Sequence, residues 1–258
     1  MKVIKSFCSV VDWQTFTVTA LSLVATYLCN KFEFSADLPS GLIGIAIIFP
    51  IVFSINAAYR RREEVLKNFA SLKAHGVALC FAHADWDGND PEGKKRSQKL
   101  LLNLFGELRS YFVNADANEF EGKKKVFAVF RDFSQSHEKL RSSGVAATEI
   151  SRANQYLRSM IIEFEKMRNV KLYQTPKSLR AYSQIFLNLF PVIYAPYFAY
   201  ICMNSHMFSG YAVAVIYSLV LVTLDNIQED LEDPYDGIGE DDVQLDVSGE
   251  YQALLGDM

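Results

Sequence analysis

The sequence predicts an all-α integral membrane protein with four transmembrane helices and a cytoplasmic helical bundle. Among its 258 residues, Asp, Glu, Lys and Arg are absent from 13–30, 38–59 and 181–224, which are windows of 18, 22 and 44 residues. A helix needs about 20 apolar residues to cross a bilayer core of about 30 Å, so the windows hold one, one and two spans. Between the second and third windows, leucines recur at helical spacing, without the alternation that is typical of strands.

The windows divide the chain into four predicted segments. Residues 1–59 carry the first two spans, 60–180 form the cytoplasmic helical domain, 181–224 carry the last two spans, and 225–258 form an acidic cytoplasmic tail. The formal net charge of −4 conceals this organisation. The helical domain has 23 basic and 15 acidic residues, whereas the tail has 12 acidic residues and no Lys or Arg.

The first window, 13–30, is rich in Thr and Ser, so we expect this helix to face protein or water rather than lipid alone. Lys2 and Lys5 precede it, but no small-residue cleavage pattern follows, which favours a span over a signal peptide. Only the seven residues 31–37 separate it from the next window. The first two spans are therefore predicted to form an antiparallel hairpin.

The second window runs directly into Arg60, Arg61 and Arg62. Because clustered arginines resist translocation, this end is predicted to be cytoplasmic, and Lys2 and Lys5 place the N-terminus on the same side. An even number of spans returns the C-terminus to that side too. The sequence thus predicts a multi-pass protein with both termini in the cytoplasm, and it does not name the host membrane.

The third window is long enough for two spans. The polar stretch 204–206 divides it, and Pro191 and Pro196 are predicted to kink the first of the two spans, because proline removes a helix hydrogen bond.

Metal, nucleic-acid and enzymatic functions find little support in the sequence. The four cysteines are scattered and none has a CxxC spacing. The acidic turn 85–92 lacks the Gly and Glu that a helix–loop–helix calcium site requires, and the basic runs 94–96 and 123–125 lack interleaved aromatic residues. The spans contain no ionisable group apart from His206 in a connecting loop. We therefore predict no enzymatic activity and no nucleic-acid partner.

The second span carries an apolar stripe. Ile45, Phe49 and Phe53 recur every four residues and so line one helix face. Such a stripe usually indicates lipid contact or helix packing. Asn56 lies on the same span near its cytoplasmic end, and a polar amide within a span normally faces protein or water.

Two motifs resemble the bestrophin family of anion channels. Phe53-x-x-Asn56-x-Ala58-Tyr59-x-Arg61-x-x-Glu64 is similar to the end of the second span in that family. The segment 233–246, DPYDGIGEDDVQLD, is similar to the motif that follows the fourth span, in a form closer to bacterial and plant members than to animal ones. The order of spans, helical block and acidic segment also agrees.

The resemblance implies a homopentamer whose second spans surround a central pore for chloride and related monovalent anions. Its pore neck would be formed by Ile45, Phe49 and Phe53, with Asn56, Tyr59 and Arg61 as the polar signature of the pore helix. The excess of positive charge in 60–180 fits a vestibule that concentrates anions.

In animal members an acidic cluster after the fourth span helps to bind calcium, and the resemblance extends this role to Glu240, Asp241 and Asp242. The sequence departs from that pattern, because 236–239 separate Pro234 from the acids. We expect no obligatory cofactor. Calcium binding remains one alternative for these acids, and docking on the basic block of a neighbouring subunit remains another.

A membrane-anchored scaffold that binds partners through the helical block and the acidic tail is the alternative function. It explains the charged segments but leaves the apolar stripe and Asn56 unexplained. The sequence therefore favours the channel. Its expected partners are further copies of the same chain and the lipid bilayer.

Overall fold

The computed structural model describes residues 11–86, 91–113, 118–173, 177–206, 208–237 and 242–256. Within these ranges the predicted all-α class is confirmed, and no strand occurs among them. The helices are α1 Trp13–Lys31, α2 Ser40–Asp85, α3 Pro91–Val113, α4 Glu119–Ser142, α5 Ala147–Leu172, α6 Lys177–Ile193, α7 Ala195–Asn204, α8 Ser209–Glu232 and α9 Ser248–Gly256.

The chain forms two compact units. The first comprises Met1–Arg60 with Thr175–Glu232, and the second comprises Arg61–Gln174 with Asp233–Met258. Helix α2 contributes its first half to one unit and its second half to the other. The tail beyond Glu232 groups with the helical bundle. The four predicted segments describe membrane topology, which stays a prediction.

Two helical stretches are long and apolar enough to cross a membrane, by length and composition. Within the described residues these are Arg180–Asn204 and Ser209–Glu232, each with a mean hydropathy of 1.6. They correspond to the third and fourth predicted spans. Helix α1 is less apolar because Gln, Thr and Ser occupy many of its positions. Two of the predicted spans thus meet this criterion within the described residues, and the four-span topology stays a prediction.

The Thr- and Ser-rich face of α1 lies inside the first unit. Thr15, Ser22 and Thr26 are buried, as the composition of this helix predicted. The Asp12 side chain caps the helix by accepting a hydrogen bond from the Thr15 N–H, with a distance of 3.0 Å. Small side chains allow helices to approach one another closely, and α1 contacts α6, α7 and α8.

The predicted proline kink separates α6 from α7. Pro191 and Pro196 lack the N–H groups that would continue the helix, and the chain turns at Tyr194. The Ser22 hydroxyl donates to the carbonyl oxygen of Pro191 at 2.8 Å, and the Ala36 N–H donates to that of Pro196 at 3.3 Å. The kink is therefore stabilised by donors from outside the broken helix.

Side-chain hydrogen bonds also connect three helices of the first unit. Gln14 Nε2 of α1 donates to Asn188 Oδ1 of α6 at 2.9 Å. Asn188 Nδ2 donates in turn to Asp225 Oδ2 of α8 at 3.1 Å. Asp225 is buried, so its carboxyl group needs such a donor.

The second unit is a helical bundle with an aromatic core. The Phe164 ring of α5 is fully buried and lies 5.6–6.0 Å from four other rings, in edge-to-face geometry. These rings belong to Tyr111, Phe112, Phe127 and Phe130. At the opposite end, the buried His83 Nε2 forms a 2.7 Å hydrogen bond with Ser136 Oγ, which joins α2 to α4.

The described part of the C-terminal tail packs on the bundle of its own chain. Tyr235 stacks on Phe112 with ring centroids 4.4 Å apart, and its hydroxyl donates to the Met167 carbonyl oxygen at 3.0 Å. Further along, Val243, Leu245 and Val247 are buried. The tail is therefore a strap that contributes apolar side chains to the core.

We predict that Gly210→Ala destabilises the protein. A Cβ atom at Gly210 would overlap the Phe198 carbonyl oxygen and the Cys202 Sγ, where α8 crosses α7. Overpacking of this kind costs about 1–3 kcal/mol. The thermal unfolding midpoint of the purified protein should fall accordingly.

Gly106→Ala is the matched control, because a Cβ atom there meets nothing within 4 Å. Within a helix, alanine is more stabilising than glycine by about 0.5–1 kcal/mol, so this variant should be as stable as the wild type or more stable. Equal midpoints for the two variants would contradict the close helix crossing at Gly210.

Candidate functional site

The predicted stripe lies on an open face of the first half of α2. Ile45, Phe49 and Phe53 are 65%, 62% and 58% exposed. The two phenylalanine rings contact each other edge to face, with centroids 4.7 Å apart. The structure therefore brings all three predicted neck residues together on one surface of the helix.

The opposite face of α2 is packed within the first unit. Ile51 is 2% exposed and packs against Leu187 of α6 and Leu221 of α8. Ser54 and Ala58 are also buried on this side. This contact fixes the rotation of α2 about its axis, and so determines that the stripe faces outward.

The open face contains more apolar residues than the four-residue spacing revealed. Ile48 and Val52 are exposed beside the stripe, and with Ile45 and Phe49 they line a groove of about 260 Å³. The signal was present in the sequence, because residues three and seven positions apart also share a helix face.

The three polar signature residues do not share one location. Asn56 and Tyr59 are exposed on the same side of α2 as the stripe. Arg61 is only partly exposed and lies roughly opposite the stripe by the 3.6-residue period of the helix. Asn56 and Tyr59 therefore continue the apolar face with polar groups, whereas Arg61 is placed elsewhere.

The predicted calcium residues are described only in part. Glu240 and Asp241 lie outside the described residues, while Asp242 lies within them and accepts a hydrogen bond from the Gly237 N–H. Burial, together with the nearby carboxylates of Asp236 and Asp233, raises the pKa of Asp242 to about 6. Within the described ranges, no group of three His, Cys, Asp or Glu side chains is arranged to hold a metal ion. Calcium binding stays a prediction.

Comparison with known proteins gives a match in structure and none in sequence. No family model matches the chain, and no curated protein matches it. Two solved structures of a bacterial bestrophin homolog from Klebsiella pneumoniae superpose with TM-scores of 0.80 and 0.81, at 17% and 16% identity. Each alignment covers 95% of this chain and 97% of the homolog.

The chain has the bestrophin fold. A further structure, described as a membrane protein, agrees at a TM-score of 0.80 and 17% identity over 95% of this chain and 96% of the other. The resemblance inferred from the two motifs is thus confirmed at the level of fold. Coverage of nearly the whole of both chains extends the bestrophin fold beyond the motifs themselves.

We predict that Asp242→Asn raises the thermal stability of the protein near neutral pH. A folded-state pKa raised from 3.8 to about 6 means that the folded chain binds the proton more tightly than the unfolded chain. This contribution to stability is complete below pH 3.8 and is lost as the pH rises through about 6. Asparagine keeps an acceptor for Gly237 and carries no charge.

The unfolding midpoints should be measured in chelator at about pH 7.5 and about pH 4, where the advantage of the variant should shrink. Asp246→Asn is the control, because Asp246 lies in the same segment but is largely exposed. A midpoint that falls in Asp242→Asn at neutral pH would show that the carboxylate is required in its charged form.

Proposed function

We propose that the protein is a homopentameric channel that conducts monovalent anions such as chloride passively across a membrane. The observation that carries this proposal is the open apolar face of α2, centred on Phe49, in a chain with the bestrophin fold. A packed helix with a second, unpartnered apolar face is suited to contact further copies of itself. Five such faces around an axis would form stacked apolar rings.

The chemistry of the proposed neck follows from its side chains. Narrow apolar rings disfavour continuous water, so they gate by dewetting. Phenylalanine ring edges carry partial positive charge, so they tolerate a partly dehydrated anion better than a cation. Phe49 and Phe53, in mutual edge-to-face contact, supply two such layers in each subunit.

Charge supports the same proposal. Residues 60–180 carry an excess of basic residues, and a basic vestibule raises the local concentration of anions. Surface ion pairs within this segment, such as Lys123 with Glu165 at 2.9 Å, neutralise part of that charge. The proposed vestibule therefore depends on the remaining lysines and arginines.

The remaining features of the proposal are topological. Four spans would place both termini on the cytoplasmic side, with the bundle and its strap in the cytoplasm. The partners are other copies of the chain, the bilayer and the permeant anions. No cofactor is required, and any effect of calcium is assigned to the segment containing Asp242.

We predict that purified protein in liposomes supports anion flux, and that Phe49→Ala and Phe53→Ala each raise this flux severalfold. Removing a ring from the neck widens it and lowers the cost of wetting. Flux should be measured with an anion-sensitive dye trapped in the liposomes. Phe16→Ala is the matched control, because Phe16 is an equally exposed phenylalanine on α1, and it should leave the flux unchanged.

No flux from wild type, over a range of pH and calcium concentration, would favour the scaffold instead. Wild-type flux with no change in the two neck variants would contradict only the neck assignment.

The proposed neck also predicts the order of permeability among anions. Dehydration costs less for a larger, weakly hydrated anion, so iodide or nitrate should permeate better than chloride. Reversal potentials in planar bilayers under bi-ionic conditions measure this order directly. Chloride permeating better than nitrate would contradict passage through a neck that dehydrates the ion.

A further inference from the structure

A cavity of about 310 Å³ lies within the second unit, between the end of α2, the start of α3 and the last turn of α9. Its lining includes Cys80, Phe81, Ala84 and Asp85 of α2, Lys94 of α3 and Leu255 of α9. Sites for small molecules have volumes of about 300–1,000 Å³, and this cavity lies at the lower end of that range. It therefore suits a small ligand.

The apolar part of the lining is held in place by contacts within the unit. Gln98 Nε2 of α3 donates to the Leu255 carbonyl oxygen of α9 at 2.6 Å, which ties the two helices together beside the cavity. Burial raises the pKa of the Cys80 thiol to about 12, so this thiol is neutral at physiological pH and behaves as a small apolar group. Cys80, Ala84 and Leu255 thus form a preformed apolar wall.

Two opposite charges line the same cavity without neutralising each other. Asp85 and Lys94 both contribute to the lining, yet within the part of the chain that the structure describes neither side chain forms an ion pair. Lys95, the next residue along α3, differs because it pairs with Glu92 at 3.6 Å. The cavity is therefore complementary to a ligand that carries both a positive and a negative charge.

The helix ends reinforce these two charges. Helix α2 ends at Asp85, so unsatisfied carbonyl groups and a partial negative charge accompany this carboxylate. Helix α3 begins at Pro91, so Lys94 lies in its first turn, where the helix carries a partial positive charge. A ligand ammonium group is stabilised at the first position and a ligand carboxylate at the second.

We infer that this cavity binds a free α-amino acid with an apolar side chain. The carboxylate of the amino acid pairs with Lys94, its ammonium group pairs with Asp85, and its side chain packs against Cys80, Phe81 and Ala84. A ligand bound in this way stabilises the folded bundle, because it binds where three helices meet. All of these residues belong to the second unit, so the inference goes beyond the proposed channel and does not depend on it.

The test titrates leucine into the purified full-length protein and measures the heat of binding by calorimetry. Three analogues each lack one of the recognised groups: isocaproate lacks the amine, isoamylamine lacks the carboxylate, and glycine lacks the apolar side chain. Leucine should give a saturable signal. Each analogue should bind about tenfold more weakly than leucine, or not measurably, because it leaves one part of the cavity without its partner.

Charge variants link the binding to this cavity. Asp85→Asn and Lys94→Gln should each lower the affinity for leucine about tenfold. Asp85→Asn should also bind leucine and isocaproate equally, because it no longer recognises the amine, and Lys94→Gln should bind leucine and isoamylamine equally. Lys95→Gln is the matched control, since Lys95 is largely exposed and pairs with Glu92, and it should bind leucine as the wild type does. Equal unfolding midpoints without ligand confirm that the variants are folded.

Each remaining outcome overturns the inference. No heat with leucine, methionine or phenylalanine would show that the cavity is not an amino-acid site. Equal affinity of the wild type for leucine and isocaproate would show that only a carboxylate is recognised. Leucine binding that survives unchanged in Asp85→Asn and Lys94→Gln would place the site elsewhere. None of these results involves anion flux, so each leaves the proposed channel unaffected.

Discussion

The candidate site depends on one packing contact, that of Ile51 with Leu187 and Leu221. In the proposed topology α2 lies inside a bilayer, where the lipid is as apolar as the protein, so close packing rather than the hydrophobic effect determines how the helix is rotated. Ile51 fits between α6 and α8, and this fit holds one face of α2 against the first unit. Turning α2 by one residue, about 100°, would present Val52 to that contact instead and move the phenylalanine stripe away from its open position. The same three side chains therefore determine where Phe49 and Phe53 point.

Much of the fold was predictable because the relevant signals are local. Exclusion of charge from 181–224 and the leucine spacing in the middle of the chain indicate helices without knowledge of their partners. The same holds for the kink at Pro191 and for the Ile45, Phe49 and Phe53 stripe. The two motifs then pointed to the bestrophin fold, which the structural match confirms.

The parts that the sequence did not predict depend on pairs that are distant along the chain. Ser22 and Pro191 are 169 residues apart, and Gln14 and Asn188 are 174 apart. No local pattern identifies which donor will satisfy which acceptor over such separations. The tail is a different case, because its acids drew attention to calcium binding or docking on a neighbouring subunit, while Val243, Leu245 and Val247 already alternated with polar residues. In an extended chain every second side chain points to the same side, so this alternation places the three apolar side chains together, and the bundle buries them.

The strap has a consequence for biosynthesis. Tyr235 and the residues that follow it are made after the helices of the bundle, yet they cover Phe112 and the neighbouring core of that bundle. Domains fold as the chain emerges, so an apolar surface of this bundle stays uncovered until the strap has been synthesised. A ribosome that stops a few residues short of Tyr235 would release a chain that still contains every candidate span and the whole stripe, but that exposes the surface chaperones and proteases recognise. The strap is thereby a condition for a closed bundle, so quality control can distinguish chains that carry the strap from chains truncated before it.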